Sequence, residues 1–223
     1  MILAAGRGER LRPLTDHTPK PLLSVGGRPL IDWHLQALAR AGMTHVVINL
    51  AWLGAQIRAH VGDGARYGLT VLFSDEGPVP LETGGGIFHA LRWLGSEPFW
   101  VVNGDVWSDF DFARVPPLPA DADARLVMVP NPPQHPRGDF ALRDGVVVDE
   151  GEGLRLTYSG IGQYRPSLFA GCTPGRFKLL PLLQRAAAAR RLYGLRYDGL
   201  WFDVGTPERL AELDARLASG AIG

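Results

Sequence analysis

Four apolar runs alternate with three helix-period stretches over the first 105 residues, and this rhythm restricts the chain to few folds. MILAA (1–5), HVVINL (45–50), LTVLFSD (69–75) and FWVVNGD (99–105) read as buried strands. Between them PLIDWHLQALARAG (29–42), LGAQIRAHVGDG (53–64) and GGIFHALRWLG (85–95) read as helices. In the first helix Ile31, Leu35 and Leu38 share a face, and Gly42 stands where a helix ends. Apolar strands linked through helices call for an α/β chain: a mostly parallel sheet covered by helices on both faces, Rossmann-like in rhythm.

Beyond Asp111 the pattern changes. VPPLPADADA (115–124) is too rich in proline to continue a central strand and reads as a surface connection. RLVMVP, DFALRDGVVVDE with an Asp144-Gly145 turn, and RLTYSGIGQYRP read as antiparallel strands appended to the parallel core. The chain closes on helix LLPLLQRAAAARR, strand LRYDGLWFDVG and helix PERLAELDARLA, with Pro207 and Glu208 opening that last helix.

The 223 residues, 46% of them hydrophobic, suffice for one sizeable core, so a single domain over 1–223 is expected. Its 23 basic and 23 acidic residues cancel, which argues against a nucleic-acid or membrane surface and makes any anion site local. A lone Cys172, no signal-like opening and no apolar run near ~20 residues point to a soluble cytoplasmic protein. Among the basic residues 21 are arginine and only two, Lys20 and Lys178, are lysine. A compact ammonium inside an arginine-rich motif invites a chemical reading.

That motif is LAAGRGERLRPLTDHTPKPLL (3–23), directly after the first strand. Ligands of open α/β sheets collect at the carboxyl ends of strands, where Gly6 and Gly8 let the backbone approach a base and phosphates while arginines supply charge. G-x-G alone is common in turns, and its spacing fits neither the dinucleotide fingerprint nor the P-loop. Two aspartates stand in similar places. Asp105 follows Gly104 beyond a buried strand, and Asp203 in LWFDVGTPERL follows an apolar run before a helix start. Either alone would serve as a turn or cap residue; together they suit Mg²⁺, which takes one or two carboxylates beside waters and substrate phosphates. Asp109 and Asp111 read as an exposed acidic loop, and His17, His34 and His89 as packing or surface residues.

The whole string resembles the signature of the sugar-phosphate nucleotidyltransferases, L-A-x-G-x-G-x-R-L-x-P-L-T followed by P-K-P, and three later motifs fall in that family's order. The resemblance implies a nucleotidyltransferase, GT-A-like fold with a small antiparallel sugar-binding extension, residues 1–111 forming the nucleotide half and 112–223 the sugar half. Leu3, Ala4, Ala5, Gly6, Arg7 and Gly8 would wrap the base and phosphates of a triphosphate, with Asn103 and Gly104 beside them. The charges of Arg7 and Arg12 read as surface features. Arg10 would bind the departing pyrophosphate, Lys20 would neutralise the α-phosphate, and Asp105 and Asp203 would hold Mg²⁺. No covalent nucleophile is called for, because a sugar 1-phosphate is itself an anionic nucleophile, with a second pKa of ~6.

By the same resemblance, Glu82, Thr83 and Gly84 in PLETGGGIFHAL would read the base, with Glu82 standing where related thymidylyl and guanylyl enzymes commonly have glycine. Gly138, Glu150, Tyr158, Ser159 and Gly160 would serve the sugar; the lysine that often follows the glutamate is replaced by Gly151. The wording of NPPQHPRGDFAL and TYSGIGQYRPSLF points to a uridylyl-transferring member that uses UTP and a cell-wall sugar 1-phosphate. Its end soon after the last helix leaves no room for a β-helix acetyltransferase domain, and a monomer is expected. The alternatives are a mannose- or glucose-1-phosphate nucleotidyltransferase and, from another class, a non-catalytic nucleotide-sensing subunit.

Overall fold

The strand-helix alternation is present in the computed structural model, which describes residues 1–148 and 153–220. These residues fall into two units, each assembled from separate stretches of chain: Met1–Pro80, Asn103–Val115 and Leu200–Gly223 form one, Leu81–Val102 and Pro116–Gly199 the other. The units therefore interleave along the sequence.

The first unit holds β1 (Ile2–Leu3), α1 (Leu14–His17), a ribbon of β2 (Ser24–Val25) and β3 (Arg28–Pro29), α2 (Leu30–Arg40), β4 (His45–Leu50), α3 (Gly54–Val61) and β5 (Thr70–Asp75). Its parallel strands lie in the order β5-β4-β1, with Ile2 opposite Ile48 and Ile48 opposite Phe73. β4 is buried from Val46 to Leu50, as a strand covered on both faces must be. On α2, Leu30, Ile31, Leu35 and Leu38 form a buried stripe, each contributing about 1.5–3 kcal/mol of burial. Gly42 takes φ +80° just past the helix, the conformation its position there requires. A second ribbon pairs β7 (Val106–Ser108) antiparallel with β13 (Trp201–Asp203), Asp203 lying opposite Val106. Helix α6 (Pro207–Ala218) completes this unit, its Leu213 packing with Val25, Leu30, Trp107 and Val204 in one cluster.

The second unit contains α4 (Glu82–Leu94), β6 (Phe99–Asn103, its last residue belonging to the first unit), β8 (Ala124–Val129), β9 (Phe140–Arg143), β10 (Val146–Val148), β11 (Leu154–Tyr164), α5 (Leu180–Ala188) and β12 (Leu192–Arg196). β11 runs antiparallel to β6, β8 and β9, as expected, but β12 runs parallel to β8, so the sheet is mixed. Asp144 and Gly145, at φ +50° and +78°, make the tight turn between β9 and β10.

One expectation is corrected. LRYDGLWFDVG is not one strand: β12 ends at Arg196 and β13 begins at Trp201, because Leu200 turns to the 108–109 corner, taking a hydrogen bond from Ser108 Oγ and donating one to Asp109 Oδ1. The proline-rich 115–124 connection lies at the surface as expected, with Pro116, Pro117, Ala120 and Asp121 exposed, and its carbonyls are tied down. Arg125 donates to the carbonyls of Pro116 and Pro117, and Arg165 to those of Leu118, Pro119 and Ala122. Two guanidiniums thus satisfy five carbonyls that have no strand partner, and Leu118 and Ala122 are buried beneath them. No helix among the described residues is long and apolar enough to cross a membrane.

Candidate functional site

The glycine loop leaves β1 under the control of a residue the sequence reading did not single out. Asn49, buried at the carboxyl end of β4, accepts the Ala4 N–H through Oδ1 at 2.7 Å and donates through Nδ2 to Glu76 at 2.7 Å. An asparagine inside an otherwise apolar strand was the available signal. The next fixed point is Gly8, in the left-handed region at φ +70°, whose carbonyl accepts from Leu11 N–H and from the hydroxyl of buried Thr15 at 2.9 Å. Trp52 donates to the Thr15 carbonyl at 2.9 Å, so the turn is pinned from α1 as well. Gly6 lies between these anchors with no protein atom within 4 Å of where a methyl group would project. Nothing in the fold demands glycine there.

The loop arginines divide by their partners. Arg7 stacks 3.9 Å from the Trp52 ring centre and pairs with Glu9 at 3.0 Å and Asp16 at 3.5 Å; Arg12 pairs with Asp16 at 2.9 Å. Arg10 has no acidic partner among the described residues. Its Nη2 lies 3.0 Å from where a methyl on Gly205 would stand, at the same point as Asp203 Oδ1, also 3.0 Å, and Arg209 Nη2 at 2.9 Å.

Lys20 is largely buried, its side chain 9% exposed, and its Nζ donates to Asp105 Oδ2 at 2.7 Å. The lysine stem also packs 3.4 Å from where a Gly8 methyl would be. Gly104, just before Asp105, gives its N–H to the Leu3 carbonyl at 2.8 Å, and a methyl there would strike the same oxygen at 2.6 Å. Its glycine is a packing requirement that draws the Asp105 corner against the end of β1. Val204 N–H donates to the Asp105 carbonyl at 2.9 Å, tying the Asp203 corner to it.

Gly8, Arg10, Lys20, Asp105 and Asp203, which span 195 positions of sequence, are therefore joined by contacts within one unit. Beneath them His34 is buried, and burial drives its imidazole down to about 4 against the pull of Asp105 and a Val106 backbone hydrogen bond. It is neutral at neutral pH, in keeping with a packing role.

Two carboxylates, each already matched by a cation, form the acidic part of this cluster: Lys20 sits on Asp105, and Arg209 pairs with Asp203 through Nη1 and Oδ2. Among the described residues no group of three or more metal-ligating side chains occurs. A donor set of two carboxylates suits a cation that completes its shell with water and phosphate oxygens, not one held by protein alone.

Asn103 lies in the first unit beside Gly104, whereas Glu82, Thr83, Gly84, Gly138, Tyr158, Ser159 and Gly160 lie in the second. Glu82 adopts φ +61° and pairs with Arg176 at 3.1 Å, so the backbone keeps the shape glycine favours although the side chain differs. At Gly84 a methyl would stand 2.6 Å from the Phe177 ring, and at Gly85 it would lie 2.2 Å from the Gly175 carbonyl. These glycines of the α4 start are needed to seat the 175–178 segment whatever else they do. Gly138, at φ +61°, would strike Asn131 Oδ1 at 2.5 Å with any side chain. Tyr158 N–H donates to Asp139, its hydroxyl pairs with Tyr164 at 2.8 Å, and burial raises both phenols. Pairing between β11 and β8 shifts register between Tyr158 and Gly162, an irregularity that contains Ser159 and Gly160, both buried. Glu150 lies outside the described residues.

The nucleotidyl transferase family profile matches residues 1–152. An N-acetylmuramate alpha-1-phosphate uridylyltransferase of Neisseria meningitidis serogroup B is 51% identical over 222 residues, 96% of each chain. A protein of the same name from Caulobacter vibrioides is 38% identical over 98% of this chain and 96% of its own. A mannose-1-phosphate guanylyltransferase of Mycobacterium tuberculosis is 31% identical over 99% of this chain, which spans 64% of that protein. Among solved structures, one from Bacillus anthracis superposes with a TM-score of 0.82 at 20% identity, covering 100% of this chain and 96% of that one. HddC from Yersinia pseudotuberculosis superposes at 0.77 and 21%, covering 96% and 97%. These last two likenesses speak to the fold.

Proposed function

The chain belongs to the nucleotidyl transferase family, and from that membership we propose that it transfers the uridylyl group of UTP to N-acetylmuramate 1-phosphate, releasing pyrophosphate. The base and the sugar are supported by the likeness to the Neisseria and Caulobacter proteins, and the chemistry by one observation: Lys20 sits on Asp105 against Gly8, and the Val204 N–H bond to the Asp105 carbonyl ties that corner to the one where Arg10 lies near Asp203. A phosphate oxygen of the sugar 1-phosphate forms a bond to the α-phosphorus of UTP as the bond from that phosphorus to the bridging oxygen of pyrophosphate breaks. The attacking group is already anionic near neutral pH, so no general base is required. What remains is alignment and the placing of positive charge where negative charge builds up.

In this reading residues 3–8 take the base and phosphates, with Asn103 and Gly104 beside them. Lys20 offsets charge at the α-phosphate, and unpaired Arg10 receives the pyrophosphate. Glu82, Thr83 and Gly84 read uracil, and Gly138, Glu150, Tyr158, Ser159 and Gly160 serve the sugar. Asp105 and Asp203 hold Mg²⁺, which when bound supplies further positive charge to the phosphates. The reading also gives a monomer working in the cytoplasm, in recycling of cell-wall sugar.

Gly6→Ala separates a ligand-contacting glycine from a structural one. Its backbone needs no positive φ and has room for a methyl, so stability holds or rises by about 0.4–1 kcal/mol. KM for UTP rises at least ~10-fold if a nucleotide packs on that face, a factor worth ~1.4 kcal/mol of lost contact. An unchanged KM would remove Gly6 from the site.

The function is tested by incubating the purified chain with UTP, GTP or dTTP and with N-acetylmuramate, mannose or glucose 1-phosphate, following pyrophosphate release with Mg²⁺ present. UTP with N-acetylmuramate 1-phosphate is expected to give the highest kcat/KM. Fastest turnover of GTP with mannose 1-phosphate would transfer the assignment to the reading that the Mycobacterium likeness favours. Binding of UTP without pyrophosphate release in any mixture would leave a nucleotide sensor.

A further inference from the structure

Arg209 has no place in the reading above, yet it reaches one of the two carboxylates on which that reading depends. It is the third residue of α6. Thr206 caps the helix by accepting the Arg209 N–H, and Pro207 fixes the first turn. The helix start thereby returns the Arg209 side chain onto Asp203, which lies six residues earlier on β13, and Nη1 donates to Oδ2. Both side chains are mostly buried, at 21% and 25% exposure, so water screens the pair less than it would a surface bridge. The other end of the fork, Nη2, lies by Gly205 together with Arg10 Nη2 and Asp203 Oδ1. Any side chain at 205 would push this group apart. Two guanidiniums thus share one carboxylate corner, and among the described residues Arg209 is the one of the two with an anion of its own.

We propose that Arg209 is a counter-ion that competes with the divalent cation for Asp203, which makes metal binding depend on the arrival of the triphosphate. This inference rests on Asp203 being a metal ligand. In the protein alone the guanidinium occupies Oδ2 and opposes a second cation at the same carboxylate, so free metal binds weakly. A triphosphate brings anionic oxygens to the adjoining Arg10, offers Arg209 a second partner, and releases Asp203. Arg209 is in these terms a positioning residue whose effect is read in metal affinity.

The experiment titrates the full-length protein with Mn²⁺ alone, reading free Mn²⁺ by its electron paramagnetic resonance signal, for the wild type, Arg209→Gln, Arg209→Lys and Asp203→Asn. Removing a cation that lies against the ligand tightens Mn²⁺ binding by Arg209→Gln at least ~5-fold, on the scale of an opposing charge at a half-buried site. Arg209→Lys falls between that variant and the wild type, since its ammonium keeps the charge but loses the fork. KM for UTP in Arg209→Gln rises as the anion partner is lost. A guanidinium that merely anchors α6 would instead lower the melting temperature and leave Mn²⁺ affinity where it was. Unchanged or weaker Mn²⁺ binding in a folded Arg209→Gln protein, while Asp203→Asn abolishes it, overturns the Arg209 inference alone. Full retention of Mn²⁺ binding by Asp203→Asn, with or without UTP, overturns the ligand assignment beneath it. Should Arg209→Gln not fold, Arg209→Lys decides: no tightening relative to the wild type counts against the proposal.

Discussion

Lys20→Ala lowers kcat by at least ~10²-fold, the usual scale for removing one preorganised charge from a reacting phosphate. The ammonium is held in place before any substrate arrives, by 2.7 Å contact with Asp105 and by a stem packed under Gly8. Its loss costs stability less than activity. Asp105 is 37% exposed and can rehydrate once unpaired, so a stability loss of about 1 kcal/mol is expected. Lys20→Arg does not restore the rate, because a planar fork cannot occupy a pocket shaped around a single compact charge. Steady-state kinetics on both variants beside their melting curves check this. A Lys20→Ala enzyme with near-normal kcat would remove the lysine from the chemistry.

Asp105→Asn gives the second large loss, again at least ~10²-fold in kcat. The amide keeps an oxygen for Lys20 to approach but removes the negative charge that a hard cation prefers. The Mg²⁺ concentration giving half-maximal rate should rise with it, which loss of an ordinary turn residue would not cause. The fold should survive, since the corner is built from the Gly104 N–H bond to Leu3 and the Val204 N–H bond to the Asp105 backbone, both of which remain. Normal turnover at unchanged Mg²⁺ demand would assign Asp105 to the turn alone.

Most of the first unit is readable from periodicity because β4 is buried on both faces and the helices carry one apolar stripe. HVVINL became β4 residue for residue, and Asp144-Gly145 became a hairpin turn because that pair tolerates two successive positive φ values. Short ribbons were less legible. β7 has only three residues, and so has its partner β13, which follows Asp198-Gly199, a turn dipeptide inside a stretch read as one strand. What separates the two strands is that dipeptide together with a change of hydrogen-bond partner at Leu200, and only the second is unreadable from local pattern.

In the site the same division holds. Gly8, Lys20 and Asp105 stand in motifs, but the reason for Gly104 is a carbonyl more than 100 positions away, and Gly84 is explained by Phe177. Arg209 gives no signal in sequence because it looks like any charged residue of an exposed helix; only the direction in which Thr206 starts that helix makes it part of the cluster. Arg7 illustrates the converse. Its charge is conspicuous in the motif but already neutralised by Glu9 and Asp16.

The way each unit recruits separate stretches of chain bears on how this polypeptide can be cut. A fragment ending at residue 111 would carry neither unit whole: it would lose Val204 and Leu213, leaving Val25, Leu30 and Trp107 facing solvent without their lid. Val204 and Leu213 leave the ribosome long after Val25 and Leu30 yet close the same cluster, so productive folding of that core waits for their synthesis.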